Sequence, residues 1–293
     1  MLANEFIRRG HCVCVFAFRF DSKELLAELD SKCKVIELSN GWLTELNRKR
    51  MREIIVERHI DIVLNQWCMP VMVSVFLRRA ISGTGAKLLS VHHNVPTTNK
   101  RIQSARSWVL KKLWRVVTAI SLRLVYELSD QYILLSESFI PLFKEFIHIN
   151  NGRKISVITN PLTIDVVTRP KENLIIYVGR LEETQKRVSR IIEIWRLLAH
   201  ELPLWRLEII GDGPDRDKYR VAAAGIERIY FLGYKSPAEY YARAKLILLT
   251  SDFEGFPLVL LEAMASRCVP VVFGSYPAAY DIVKGKEGRA YVI

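Results

Sequence analysis

The sequence predicts an α/β chain made of two doubly wound parallel-sheet domains that face each other across a cleft. Three observations carry this. Short runs rich in Val, Ile and Leu recur along the chain, and they are continuous rather than alternating, as in strands buried on both faces of a parallel sheet. Helical patterns fall between these runs, so strand and helix alternate. The chain has 293 residues, enough for two domains that each bury a core. The loop TNPLTIDVVTRPKEN (159–173) holds two prolines and shows no periodicity, which sets the expected domains at 1–160 and 161–293.

The first half opens on a helix-like segment, LANEFIRRG. CVCVFAF, KVIEL, DIVLNQW, KLLSVHH, QYILLS and ISVITN read as its strands. GWLTELNRKRMREIIVERH (41–59) and SARSWVLKKLWRVVTAISLRLVYELS (104–129) read as its helices. In the second half the strands are NLIIYVG, WRLEIIG, RIYFLG, KLILLTS, VPVVFGS and RAYVI. The helical stretches between them are KRVSRIIEIWRLLAHEL, DRDKYRVAAAG, PAEYYARA, PLVLLEAMAS and AAYDIVKG.

Composition narrows the class. No apolar run approaches the roughly 20 residues that span a bilayer, and MLANEFIRRG lacks the basic stretch and apolar core of a signal peptide. The chain therefore reads as cytoplasmic. The cysteines Cys12, Cys14, Cys33, Cys68 and Cys268 form no C-x-x-C pair, so they read as buried free thiols and no metal site is expected. The net charge is +12 and uneven: residues 1–150 hold 22 Lys/Arg against 14 Asp/Glu. Between Asp61 and Glu127 there are ten cations and no acid. Such a surface suits a polyanion. The stretch 99–123, with seven cations, Trp108 and Trp114, reads either as a surface helix at an anionic membrane, the inner face of the cell membrane, or as a core-packed helix with a solvated basic face. No nucleic-acid module is recognised, and GDGPDR is not the G-x-G-x-x-G fingerprint of a dinucleotide site.

The residues that carry chemistry sit after the second-half strands, where open α/β sheets bind ligands. Arg180 follows NLIIYVG, with Lys186 six residues on. Tyr234 follows RIYFLG, and Glu254, Gly255, Phe256 and Pro257 follow LILLTS. Pro257 suits a first helical turn, so the N–H groups near Gly255 to Leu258 form an anion site at a helix start. Glu254 and Glu262, with seven residues between them, suit acceptors for sugar hydroxyls; on spacing alone they also read as a solvated loop acid and a helix-surface acid. Arg180 and Lys186 suit the negative charge that develops on a diphosphate leaving group, or read as ordinary surface cations.

The ordered strings YVGRLEETQK, IIGDGP, FLGY, SDFEGFPLVLLEAMA and VPVVFGSYPAAYDIV resemble the C-terminal domain of glycosyltransferase family 4, retaining enzymes of the GT-B architecture with two Rossmann-like domains. GHCVCVF, SVHHN, SDQYILLSES and VITNP extend the resemblance to the first half. It implies a metal-independent transfer of a hexose from a UDP- or GDP-linked donor to a saccharide or lipid-linked acceptor, in polysaccharide or lipopolysaccharide synthesis, with no other cofactor. It implies that Arg180 and Lys186 bind the donor diphosphate, Glu262 the ribose and Glu254 the transferred sugar. Gly255, Phe256 and Pro257 then begin the helix facing the phosphates, and Tyr234 lies near the base. His93 reaches the cleft from the first domain, with His92 the competing choice and a buried structural role open to either. Alternation puts the two histidines on opposite faces. Three departures from the family pattern stand out. An opening strand with a glycine-rich loop and the closing helices are both missing, which reads as truncation at both ends; a non-catalytic sugar-nucleotide-binding or assembly subunit is the alternative. Arg267 stands where glycine is usual, and a positive φ there is costly.

Overall fold

A computed structural model describes residues 2–17, 26–38, 43–98, 100–162, 164–284 and 290–293. The first half runs α1 (Leu2–Arg8), β1 (Cys14–Ala17), β2 (Lys34–Glu37), α2 (Glu45–Glu57), β3 (Ile62–Asn65), α3 (Val71–Ile81), β4 (Lys87–His92), α4 (Lys100–Ser104), α5 (Trp108–Leu128), β5 (Gln131–Leu134), α6 (Phe139–Phe146) and β6 (Ile155–Val157). The second runs β7 (Glu172–Val178), α7 (Val188–Leu198), β8 (Arg206–Ile210), α8 (Arg216–Ala222), β9 (Ile229–Gly233), α9 (Ala238–Arg243), β10 (Ala244–Leu249), α10 (Leu258–Ala265), β11 (Val269–Val272), α11 (Pro277–Val283) and β12 (Tyr291–Val292).

The chain clusters into two compact units. One holds Met1–His92, Leu113–Ile133 and Ile147–Ser156; the other holds His93–Lys112, Leu134–Phe146 and Val157–Ile293. In the first, β1 and β2 pair in parallel, and a four-stranded sheet has the order β3-β4-β5-β6. Its core joins Met51 and Ile55 of α2 to Val73, Phe76, Leu77 and Ala80 of α3 and Leu88 of β4. Thr44 caps α2, its hydroxyl accepting from the Asn47 N–H at 3.2 Å, which satisfies one of the orphan donors of the first turn.

The second unit has a six-stranded sheet of order β12-β11-β10-β7-β8-β9 with parallel pairing throughout. The continuous run Leu174–Tyr177 is buried along its whole length, as a strand covered on both faces must be. Val188, Ile191, Ile192 and Trp195 turn one stripe of α7 inward, at the spacing of an amphipathic helix. The chain builds outward through β7, β8 and β9, then returns to place β10 beside β7. The sheet reverses there, and crevices beyond the carboxyl ends of such strands are where ligands bind.

Several sequence expectations shift. The helix expected over 104–129 begins only at Trp108, and α4 precedes it as a separate turn. α3 and α6 are helices that no periodicity announced. Cys12 is exposed and Cys14 half-buried, so the reading of buried thiols holds for Cys33, Cys68 and Cys268 alone. Arg267 does adopt φ +58°. It follows α10 as the residue whose N–H returns to the Met264 carbonyl at 3.0 Å, a helix-ending position that favours glycine.

Candidate functional site

Three strand ends of the six-stranded sheet are stitched together by backbone. The Gly179 N–H donates to the Ile210 carbonyl at 3.0 Å, the Gly211 N–H to Gly233 at 2.8 Å, and the Leu181 N–H to Asp212 at 2.9 Å. A Cβ on Gly211 would lie 1.9 Å from the Gly179 carbonyl oxygen, and one on Gly213 would lie 2.3 Å from that of Leu181. Only glycine permits this approach.

Beside this crest the loop after β7 meets the loop after β10. The Lys186 ammonium lies 2.5 Å from Glu254 Oε1. The Ser251 hydroxyl donates to the same oxygen at 2.6 Å, and Gln185 Nε2 donates to Oε2 at 3.2 Å. Glu254 is 6% exposed. A carboxylate so placed is tolerable only with a paired cation and filled lone pairs. Asp252 ties the same loops by their outer side: it accepts from Arg187 Nε at 2.6 Å and pairs with Arg190 at 2.7 Å. Arg187, at φ +52°, is the N-cap of α7.

Gly255 follows Glu254, and a Cβ there would sit 1.8 Å from the His93 carbonyl oxygen. Asn160 Nδ2 donates to the Phe256 carbonyl at 3.2 Å. Pro257 is the N-cap of α10 rather than its first-turn residue. Glu262 lies further along α10, 8% exposed, accepting from the Tyr241 hydroxyl at 2.8 Å. Burial and this carboxylate push the Tyr241 phenol well above its ordinary value. Glu254 is thus no solvated loop acid and Glu262 no helix-surface acid.

The remaining expected residues divide. Arg180 stands at the end of β7 with an exposed guanidinium 3.6 Å from Glu182. Tyr234 follows β9 and is 89% exposed. Among the described residues no hydrogen bond or ion pair joins either to the Lys186–Glu254 cluster. His92 ends β4, buried, with Nδ1 2.9 Å from the Tyr132 hydroxyl. His93 lies past the strand and keeps an exposed face, while the protein around its ring costs the charged form hydration and pulls its pKa below the ordinary imidazole value.

Gln185, Ser251 and Tyr276 belong to the surroundings of this cluster, and sequence reasoning gave none of them a part. Tyr276 is 1% exposed and its hydroxyl has no hydrogen-bond partner among the described residues. Burial, with the Glu254 charge behind it, raises its pKa. Gln185 had a signal, its place next to Lys186; an uncharged loop residue otherwise looks like any solvated one. Among the described residues no group of three or more His, Cys, Asp or Glu could hold a metal ion.

Comparison with known proteins bears on this geometry. The family model described as Glycosyltransferase Family 4 matches residues 1–166. The model described as Glycosyl transferases group 1 matches residues 163–293. Over 156 residues the chain is 36% identical to the lipopolysaccharide 1,6-galactosyltransferase of Salmonella typhimurium, covering 48% of this chain and 43% of that protein. Over 190 residues it is 26% identical to an α-1,4-N-acetyl-D-galactosaminyltransferase of Campylobacter jejuni that acts on an undecaprenol-linked acceptor, covering 62% and 50%. The chain spans about half the length of the curated relatives it matches. Among solved structures, the lipopolysaccharide outer core galactosyltransferase WaaB aligns with TM-score 0.62 at 24% identity, over 90% of this chain and 71% of that one. Anabaena Alr3699/HepE in complex with UDP-glucose aligns with TM-score 0.70 at 17% identity, over 96% and 77%. These likenesses show the fold, two Rossmann-like units of the GT-B kind.

Proposed function

The chain belongs to glycosyltransferase family 4, and from that premise we propose that it is a retaining hexosyltransferase, metal-independent, moving a sugar from a UDP- or GDP-linked donor to a saccharide or lipid-linked acceptor. The setting is cell-surface polysaccharide or lipopolysaccharide synthesis, at the cytoplasmic face of the membrane. The functional division follows 1–160 for the acceptor side and 161–293 for the donor side.

One observation carries the reading: a cation–carboxylate pair, half-buried Lys186 with buried Glu254, stands beside the start of α10 where the sheet reverses. Breaking the sugar–phosphate bond leaves negative charge on the pyrophosphate, and a preorganised cation with free helix N–H groups lowers the energy of that state. Lys186 supplies the cation, Arg180 a second one, and Gly255, Phe256 and Pro257 open the turn that presents the backbone. With the donor bound, Lys186 turns from Glu254 to phosphate, and Glu254 accepts hydrogen bonds from the transferred sugar. Glu262 has one oxygen fixed by Tyr241 and offers the other to the ribose. Tyr234 flanks the base, and His93, neutral through partial desolvation, reaches the reacting sugar. No side chain serves as covalent nucleophile. The acceptor oxygen attacks on the face that the phosphate leaves, and a phosphate oxygen takes its proton.

The test is a donor screen by saturation-transfer NMR, with turnover followed on the donors that bind. UDP- or GDP-sugars should bind the native chain, and Lys186→Ala and Glu262→Ala should each weaken binding by about tenfold or more, the scale of a lost charge-assisted hydrogen bond. Unchanged affinity in both variants would overturn the site. Binding without turnover would favour a sugar-nucleotide-binding or assembly subunit.

A further inference from the structure

The donor-site reading leaves one large surface unused. α5 packs inward through Thr118, Ala119, Leu122, Val125 and Tyr126. Its opposite side carries Val109, Leu113, Val116, Ile120 and Leu124, all exposed. Steps of four, three, four and four residues keep these side chains on one stripe of a helix with 3.6 residues per turn, and at 1.5 Å per residue the stripe is about 22 Å long. Leu110 and Val117 widen it, and Trp108, 74% exposed, stands at its start. A helix with apolar residues on both long faces needs a cover on each. The fold provides one.

Charge identifies the other. Lys112 and Arg123 border the stripe and are exposed, while Lys111 and Arg115, in line with Thr118 and Leu122, lie on the opposite side of the helix. No acidic residue occurs between Asp61 and Glu127. A second copy seated on the stripe would bring cation against cation, which disfavours docking. An anionic bilayer answers both needs: hydrocarbon for the stripe, headgroup phosphates for Lys112 and Arg123, whose long stems let the charge stay at the headgroup level. No described helix is long and apolar enough to cross a membrane, so the helix lies along the surface.

We propose that α5 seats this chain on an anionic membrane, with Leu113, Val116, Ile120 and Leu124 in the boundary between headgroups and acyl chains. The proposal does not rest on the donor site, and the two can fail separately.

The experiment is co-sedimentation of the whole chain with phosphatidylcholine vesicles, and with vesicles in which about a third of the lipid is phosphatidylglycerol. Partition onto the anionic vesicles should be stronger by about tenfold or more and should fall as salt rises. Leu113→Glu combined with Ile120→Glu should abolish it. Lys112→Glu should reduce binding to the anionic vesicles only. UDP titration and thermal melting of the same variants should match the native chain. Equal partition onto both vesicles, binding to neither, or stripe variants that sediment like the native chain would overturn the proposal. A dimer by light scattering that the stripe variants dissociate would assign the face to a second copy and also overturn it. Should the stripe variants fail to fold, the native chain decides. Brominated anionic lipid should quench the part of the emission that Trp108→Phe removes; no quenching of that part would end the proposal.

Discussion

Glu254 is accommodated inside the protein because two loops converge on it with a cation, a hydroxyl and an amide. Lys186→Met therefore strands a carboxylate, and should cost up to about 3 kcal/mol of stability, the low end of the penalty for breaking a buried pair from one side, because Lys186 is half-buried. Adding Glu254→Gln should restore much of the loss, since the amide keeps the shape without the charge. Thermal melts of the two single variants and the double variant measure the coupling, and additive losses would show that the pair does not interact. Tyr276→Phe is the opposite case. Its hydroxyl is buried without a partner, so the variant should melt no lower than the native chain and up to about 1 kcal/mol more stably; a clear loss would reveal a bond that the geometry does not contain. Lys186, Glu254 and Glu262 were legible in the sequence through the ordered strings that resemble glycosyltransferase family 4, not through any one charge, because glycines and charges end many strands. Gln185, Ser251 and Tyr276 were not, because their part depends on which loops meet, and spacing along one chain does not encode that.

At the scale of elements, the ends of helices decide most of what can be tested. Arg267 pays a left-handed backbone at the end of α10. Arg267→Gly should raise stability by about 1 kcal/mol, read as a higher Tm; an unchanged or lower Tm would place that residue's worth in its side chain. Asp281 of α11 accepts from the Ser138 N–H at 3.0 Å and from the Ser136 hydroxyl. Burial alone would raise its pKa, but these hydrogen bonds outweigh it and hold the carboxyl below its ordinary value. Its contribution is therefore complete above the unfolded value of about 3.9 and is lost as pH falls through the lower folded value. The gap in Tm between the native chain and Asp281→Asn should be steady from pH 7 to about 5 and close in stronger acid. Element type was readable where apolar runs were short and continuous, as in β7 and β10. α3 escaped because VMVSVFLRRAI is apolar on most of its circumference, which hides the period. α6 escaped because Pro141 reads as a breaker, although the first helical turn tolerates proline. The helix at 104–129 was placed too early because a run of cations carries no signal for the break before Trp108.

For the molecule as a whole, parallel pairing and the alternation of strand and helix were plain from sequence. The order β12-β11-β10-β7-β8-β9 was not, because the runs are alike and nothing in a single strand names its neighbour. That order puts the candidate site on one unit, and hydrogen exchange with UDP present should slow the amides of 179–187 and 251–260 while leaving α2 and α3 unchanged. Protection spread evenly over both sheets would mean that the ligand binds elsewhere or acts globally. The backbone contacts of Gly211 with Gly179, of Gly213 with Leu181 and of Gly255 with His93 also bear on anyone who wants to vary this candidate site. Gly211, Gly213 and Gly255 have no room for a side chain, so a mutant library that randomises them would fill with chains unable to close the loops. Variation belongs instead at open positions such as Tyr234, 89% exposed, where a new side chain meets only water.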